Sequence, residues 1–225
     1  MIDYAGDEYH RKRHPEFLDD EELRNAWSCF ADLVYFDRVK VGESVFEFGG
    51  GVGANLLEVA KRAETHMLEP SQLGRDIAAR AGVAAVALLH ELEEKRFDWI
   101  LCRHVLEHLE HPANALRDLK SRLKPGGTLI VVVPYERLDA PPEPGDLNHH
   151  LYCWNPQTLA NLLTLCGFCV ERWRYEYYGA KRKLLPVYRM VGGTAYARCV
   201  RAVGRIFRFR ELVFEVSARA SLEPA

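Results

Sequence analysis

Apolar residues follow two rhythms along this chain. Leu23, Trp27, Phe30, Leu33 and Val34 recur at helical spacing directly after the acidic run Asp19-Asp20-Glu21-Glu22, and acids suit the positive end of a helix. A helical cap is therefore expected near the N-terminus. From residue 43 the pattern changes: strand-like runs at 44–48, 66–69, 84–89, 98–102 and 128–133 alternate with helical patterns at 54–63, 72–81 and 112–123. That alternation predicts a parallel sheet with helices on both faces. Val131-Val132-Val133 has no polar break, as expected of a strand buried on both sides. Asn155-Pro156 then has the chemistry of a helix start, Leu159, Leu162, Leu163 and Leu165 continue the helix, and Gly167 ends it before a strand at Phe168. Residues 171–178 alternate in part, with Trp173, Tyr175 and Tyr177 on one face; a helix near 196–207 and a strand at 211–216 follow.

With 225 residues, 48% of them hydrophobic, and a formal net charge of -2, the chain has enough apolar material for one good core. A single domain is expected: a cap over 1–40, a cofactor-binding core over 41–135, and an acceptor-side loop, helices and final strand over 136–225. No basic leader with an apolar stretch opens the sequence and no apolar run approaches a membrane span, so a cytoplasmic protein is expected. The six cysteines sit mostly among apolar neighbours, which suits buried thiols rather than a disulfide framework. The proline- and acid-rich stretch 137–147 reads as a loop at a strand's C-terminal end, where open α/β sheets build active sites.

The run Val45-Phe46-Glu47-Phe48-Gly49-Gly50-Gly51-Val52-Gly53-Ala54-Asn55 joins an apolar strand to an acid and then to glycines two apart. Glycines at such a corner let backbone N–H groups approach a ligand, and a helix over 54–63 would turn its positive end to the same spot. An adenosine-containing cofactor is expected there. Gly49-x-Gly51-x-x-Ala54 also fits the dinucleotide fingerprint of NAD-binding folds, and Glu69, at the tip of the next strand-like run, suits ribose hydroxyls in either case.

Three features separate the two cofactors: Glu47 two residues before the first glycine, the segment 97–109 with Arg103, His104, Glu107 and His108, and Lys124-Pro125-Gly126-Gly127 leading into the strand at 128–133. With these the chain resembles the class I S-adenosylmethionine-dependent methyltransferases, in particular their small-molecule branch, which includes the ubiquinone-pathway O-methyltransferase type. The likeness covers residues 45–134 and, more loosely, 148–171. It implies a Rossmann-like α/β fold whose seven-stranded, mostly parallel sheet runs in the order 3-2-1-4-5-7-6 with the last strand antiparallel. It also implies S-adenosylmethionine as cofactor, S-adenosylhomocysteine as product, and methyl transfer to a small-molecule or lipid- or sugar-linked acceptor, most plausibly at oxygen.

By the same resemblance, Glu47 and the backbone of Gly49, Gly51 and Gly53 would hold the methionine moiety and sit against the ribose, with Glu69 on the ribose hydroxyls. His90 and Glu91 fall in the adenine region, where an exposed surface pair reads equally well. Arg103 and His104 match the position beside the sulfonium, and Glu107 and His108 match the start of the following helix. Tyr4, Tyr9, His10 and Arg11 match an N-terminal lid. His149 and His150 are candidates for a general base, since an imidazole suits deprotonation of a hydroxyl; the alternative is that both hold the loop. No metal is expected from His104, His108 and His111, because no H-E-x-x-H accompanies them. Cys166-x-x-Cys169 reads as a helix end and strand start rather than a redox pair. Two rivals remain, an NAD-dependent oxidoreductase and a non-catalytic methyltransferase-like subunit; Glu47 and the Lys124–Gly127 turn speak against the first.

Charge is segregated toward the C-terminus, where residues 172–219 carry twelve Lys and Arg against three Glu. Arg198, Arg201, Arg205 and Arg208 recur at helical spacing, with Tyr196, Val200, Val203 and Phe207 on another face. The bland reading is a solvated surface helix. The functional one is a basic helix that, with Lys181-Arg182-Lys183, attracts an anionic acceptor or an anionic membrane surface. No nucleic-acid partner is expected, because no recognised module accompanies the patch.

Overall fold

Alternating burial along the strands sorts the side chains of one sheet into two cores. The computed structural model describes residues 6–137, 139 and 141–219. Its seven strands are β1 (Ser44–Phe48), β2 (Glu64–Leu68), β3 (Ala84–Val86), β4 (Phe97–Arg103), β5 (Leu123–Pro134), β6 (Phe168–Tyr177) and β7 (Arg210–Ala218). They stand in the order β3-β2-β1-β4-β5-β7-β6, with β1 to β5 parallel and β7 antiparallel to both β5 and β6. This is the order implied by the resemblance. On β5, Ile130 and Val132 face the core under α3 (Glu21–Tyr35), α4 (Gln72–Arg80) and α8 (Gly193–Phe207). Leu129, Val131 and Val133 face the opposite core, under α5 (Pro112–Ser121) and α6 (Pro156–Leu165). Short helices α1 (Asp7–Arg13), α2 (Pro15–Asp19) and α7 (Leu185–Val191) complete the chain.

The expected helix boundaries follow local chemistry. The Asp20 carboxylate accepts from Leu23 N at 2.8 Å and caps α3, as the acidic run predicted. Asn155 and Thr158 form a reciprocal capping pair at the start of α6. After Cys166, Gly167 takes φ 85 and turns the chain into β6, the left-handed conformation that glycine adopts without a Cβ clash.

Four expectations are corrected. The helix expected over 54–63 is replaced by turns and a single 3-10 turn, Val59–Lys61. In an α-helix Glu58 N would donate to the carbonyl of Ala54, but here it donates to Ser28 Oγ of α3. Tertiary packing has thus taken a bond that the helix needed. Lys124-Pro125-Gly126-Gly127 forms an irregularity inside β5 rather than a turn before it: Phe97 pairs with Leu123 and Trp99 with Thr128. The cysteines divide evenly instead of being mostly buried: Cys102 and Cys166 are buried, Cys153 and Cys169 exposed, and Cys29 and Cys199 intermediate. Finally, α8 buries Tyr196, Ala197, Val200 and Gly204, and Phe207 is 65% exposed instead of packing with them.

Gly204 sets that rotation. A Cβ on it would lie 2.4 Å from the backbone N of Tyr178 and 2.7 Å from its carbonyl carbon, so α8 crosses the end of β6 with no room for a side chain. Gly204→Ala normally adds about 1 kcal/mol of helix propensity. Here it is expected to destabilise by about 1–3 kcal/mol through overpacking against backbone, a reversal of sign that urea denaturation will detect.

Candidate active site

The C-terminal ends of β1, β2, β4 and β5 lie on one edge of the sheet, and the strand order reverses between β1 and β4. Crevices at such a switch point are where open α/β sheets bind ligands. Glu69, the residue after β2, is 4% exposed. Its two carboxylate oxygens accept from Gly51 N at 2.8 Å and Ser71 N at 2.9 Å. The glycine corner is therefore held to the tip of β2 by this acid. Gly49 N and Gly50 N both donate to the Leu68 carbonyl, and Gly53 N to that of Gly50. In this structure the N–H groups expected to face a ligand bond within the protein. Gly51, at φ +56, is the position where an added Cβ would meet only the His10 ring, at 3.5 Å.

Glu47 projects from β1 to the side of the sheet that carries α3. It is 1% exposed. One oxygen accepts from Asn55 Nδ2 at 2.5 Å, and Asn55 Oδ1 in turn accepts from Trp27 Nε1 at 2.8 Å. The other oxygen is buried without a hydrogen-bond partner. Burial pushes the Glu47 carboxyl up to about 8. His90 and Glu91 lie exposed in a 3-10 turn after β3, where the Glu91 carboxylate accepts from Leu88 N at 2.8 Å.

At the end of β4, Arg103 turns into the interior. Its Nε donates to Tyr35 Oη at 3.1 Å, and its guanidinium pairs with Glu211 at 3.0 Å and lies 5.3 Å over the Trp27 ring. His104 follows at φ 53, a left-handed conformation uncommon for a non-glycine residue. Its Nε2 lies 3.0 Å from Glu211 Oε2, the oxygen that also accepts from Arg103, while Tyr35 Oη donates to Oε1. Burial, followed by the Arg103 charge, lowers the His104 imidazole to about 4 despite that carboxylate. Burial alone would raise Glu211, but Arg103, His104 and Tyr35 together hold it at about 2.

A second group of titratable residues gathers where the loop after β5 returns to the end of β4. His150 Nδ1 lies 2.8 Å from Glu136 Oε1, and its ring sits 4.8 Å from that of His108. Glu107 is fully buried and both of its carboxylate oxygens lack a hydrogen-bond partner. Its backbone carbonyl accepts from Leu151 N at 2.7 Å, which fastens the loop. Burial raises the Glu107 carboxyl to about 8, while burial and then His150 and His104 lower His108 to about 4. Glu107, His108 and His150 bring ligand-type atoms within 4.8 Å of one another; imidazoles and a carboxyl can exchange protons, and the same donors suit a divalent cation. His149 is exposed at φ 49, with its backbone N–H donating to Asp146 at 3.1 Å. Of the expected histidines, the structure brings His104 and His150 toward one wall and leaves His149 on the surface.

Helix α1 spans both groups. Asp7 accepts from Ser71 Oγ at 2.6 Å and Leu73 N at 3.0 Å, and His10 Nε2 lies 3.3 Å from Glu69 Oε1. Further along, Tyr9 meets the His108 ring edge-on at 6.2 Å, and Arg13 Nε donates to Asn148 Oδ1 at 2.7 Å. Tyr9 and His10 of the expected lid segment thus lie against His108 and Glu69, whereas Arg11 is exposed; Tyr4 lies outside the described residues. Sequence reasoning missed Asp7, Arg13, Glu136 and Glu211 as members of the site. Only Asp7 and Arg13, flanking the lid residues, carried any local signal.

Known proteins are consistent with this architecture. A family model described as a methyltransferase domain matches residues 9–172. An uncharacterized protein of Mycobacterium tuberculosis (strain ATCC 25618 / H37Rv) is 31% identical over 110 residues, covering 43% of this chain and 38% of that relative. The chain therefore matches well under half the length of that protein. Among solved structures, phosphoethanolamine N-methyltransferase 2 of Haemonchus contortus in complex with S-adenosyl-L-methionine superposes with a TM-score of 0.63 at 16% identity, over 98% of this chain and 61% of that one. The [4+2]-cyclase SpnF superposes with a TM-score of 0.60 at 19% identity, over 86% and 81% of the respective chains. At these identities the superpositions speak for the fold.

The raised carboxyl of Glu107 has a consequence for stability. The folded protein keeps a proton that the unfolded chain releases above the ordinary glutamate value of 4.5, up to about 8. Its contribution is thus complete below the unfolded value and is lost as pH rises through the folded one. Glu107→Gln is expected to melt higher than the parent protein above about pH 8 and to flatten the decline of Tm from about pH 5 to 8, as thermal melts across that range will show.

Proposed function

The chain belongs to the family of methyltransferase domains and has the class I S-adenosylmethionine-dependent methyltransferase fold, and from that premise we propose that it methylates an oxygen of a small-molecule or lipid- or sugar-linked acceptor. Glu69 carries the cofactor half of this reading: a buried acid at the tip of β2, beside a glycine whose open side meets only His10. Two ribose hydroxyls would donate to it, with His10 moving or sharing the carboxylate. The unpartnered oxygen of Glu47 fits a cationic amino group of the methionine moiety, and Gly49, Gly51 and Gly53 leave the space. The His90–Glu91 turn would border the adenine. When bound, S-adenosylmethionine supplies an activated methyl group on a cationic sulfur.

The chain's own residues would then position the acceptor and move one proton. With Nδ1 held by Glu136, His150 would offer Nε2 to an acceptor hydroxyl and take up its proton, and Glu136 would stabilise the resulting imidazolium. His104, held neutral and oriented by Glu211, would shape the floor beside Arg103. His149 would support the loop instead of serving as base. Holding the acceptor in line is the larger contribution, since the transfer needs no covalent intermediate. A second reading is cofactor binding without methyl transfer, since the fold is shared with a protein described as a [4+2]-cyclase.

Calorimetry is expected to show micromolar binding of S-adenosylhomocysteine and none of NAD. Glu69→Ala should weaken that binding by about 1.5–3 kcal/mol, the scale of charge-assisted hydrogen bonds to two hydroxyls. Unchanged affinity in a folded variant removes Glu69 from the site.

With hydroxyl acceptors, His150→Ala is expected to lower kcat, leave S-adenosylhomocysteine affinity in place and abolish the lower limb of the pH profile. Turnover insensitive to chelators agrees with proton transfer by this cluster. Activity lost to a chelator and restored by a divalent cation would reassign Glu107, His108 and His150 to a metal. Failure to turn over any acceptor despite cofactor binding would favour the second reading.

A further inference from the structure

Five of the twelve Lys and Arg in residues 172–219 are matched by acids. Arg172 and Arg174 pair with Glu215, Lys181 with Glu16, Arg189 with Glu22, and Arg201 with Glu176. Of the other seven, Arg205, Arg208 and Arg210 cluster where α8 ends and β7 begins. Among the described residues no ion pair engages Arg205, Arg208 or Arg210. Together with Tyr177 these three arginines line a basin of about 310 Å³. Arg205 and Arg210 are held by aromatic faces, at 5.8 Å over Tyr177 and 3.9 Å over Tyr135 respectively, which leaves their charge unneutralised.

The apolar residues of the same turn point outward. Ile206 is 74% exposed, Phe207 65% and Phe209 59%, and the two phenyl rings stack at 6.4 Å. The tight packing of Gly204 against Tyr178 turns this face away from the core, and Arg208, in a left-handed conformation, reverses the chain directly into β7. Because β7 is antiparallel, its first residues stand at the catalytic edge of the sheet, with Pro134 opposite Glu211 and Tyr135 N donating to the Arg210 carbonyl. The turn therefore lies beside the loop that carries His150.

We propose that the turn Arg205–Arg210 is a docking surface for an anionic lipid bilayer: the arginines take lipid phosphates, and Ile206, Phe207 and Phe209 enter the interfacial layer between them. Charge complementarity selects a negative partner, and the interleaved apolar side chains select a membrane over a dissolved polyanion, which would leave them in water. A second copy of the chain is disfavoured, because a two-fold contact through this patch would set arginines against arginines. Docking would place the acceptor mouth against the bilayer. If the methyl-transfer reading holds, the acceptor is then presented from the membrane; the docking itself does not depend on that reading.

The test is co-sedimentation of the full chain with vesicles of phosphatidylcholine alone or mixed with phosphatidylglycerol, at low and physiological salt, with S-adenosylhomocysteine affinity measured in parallel as a check on folding. Binding is expected to the mixed vesicles alone and to weaken with salt. Charge reversal in Arg205→Glu/Arg208→Glu should reduce it by about tenfold or more, since each basic residue near such a surface contributes on the order of a kilocalorie. Ile206→Ser/Phe207→Ser should reduce it as well, with S-adenosylhomocysteine affinity unchanged in both variants. No sedimentation at either salt overturns the proposal. So does binding that excess inorganic phosphate abolishes and Ile206→Ser/Phe207→Ser leaves intact, which would mark a simple anion site. A concentration-dependent dimer that Ile206→Ser/Phe207→Ser disperses, without vesicle binding, would assign the face to self-association.

Discussion

The carboxylate of Glu211 is the point on which the site depends. It is fully buried at the start of β7, and a buried charge is tolerated only when it is paired and hydrogen-bonded. Here Tyr35 donates from the last turn of α3, while Arg103 and His104 reach it from the end of β4. One anion thus fixes the cap helix, the fourth strand and the final strand at the edge where the crevice opens. Removing one partner of such a group costs about 3–5 kcal/mol, because the others remain buried and unmatched. The left-handed conformation of His104 is affordable in this setting, since the imidazole is anchored by the same carboxylate.

Two carboxyl groups nearby have the opposite environment. Glu47 and Glu107 are buried with oxygens that lack partners, and both are driven up to about 8. Glu211 is held charged by three donors, whereas burial with at most one side-chain donor, Asn55 on Glu47, pushes these two toward the neutral form. Acids whose environments separate their proton affinities in this way are typical of sites that bind or move charge. Helix α1 closes over the same region, reaching Glu69 through His10 and His108 through Tyr9. Its contacts are side-chain hydrogen bonds and ring edges rather than a large apolar face, which suits an element that yields to a ligand.

The basic C-terminal third has a similar division of labour. The buried carboxylates of Glu176 and Glu215 pair with arginines, Arg201 on the first and Arg38, Arg172 and Arg174 on the second. Those on the final turn of α8 are left without acids beside exposed aromatic residues. The helix is neither simply solvated nor uniformly basic: one end is structural and the other is a distinct surface.

Sequence alone determined the sheet. Buried parallel strands need uninterrupted or alternating apolar runs, and caps and glycines are local chemistry, so β1, the α3 N-cap, the Asn155 cap and the Gly167 stop were all legible. Glu69 and the glycine corner were legible too, because they are close in sequence and their spacing reflects one strand–turn–strand unit. The tertiary structure decided what depends on residues far apart in the chain. Ser28 takes the Glu58 N–H and cancels a helix that local pattern favours, and Gly204 rotates Phe207 outward because Tyr178 backbone lies against it. Glu211, more than a hundred residues from His104, becomes the anchor of the site only when β7 inserts beside β5. Local propensity reads energies that a few neighbouring residues set, while a buried charge, an orphaned carboxyl or an exposed aromatic turn takes its meaning from whatever the fold brings next to it.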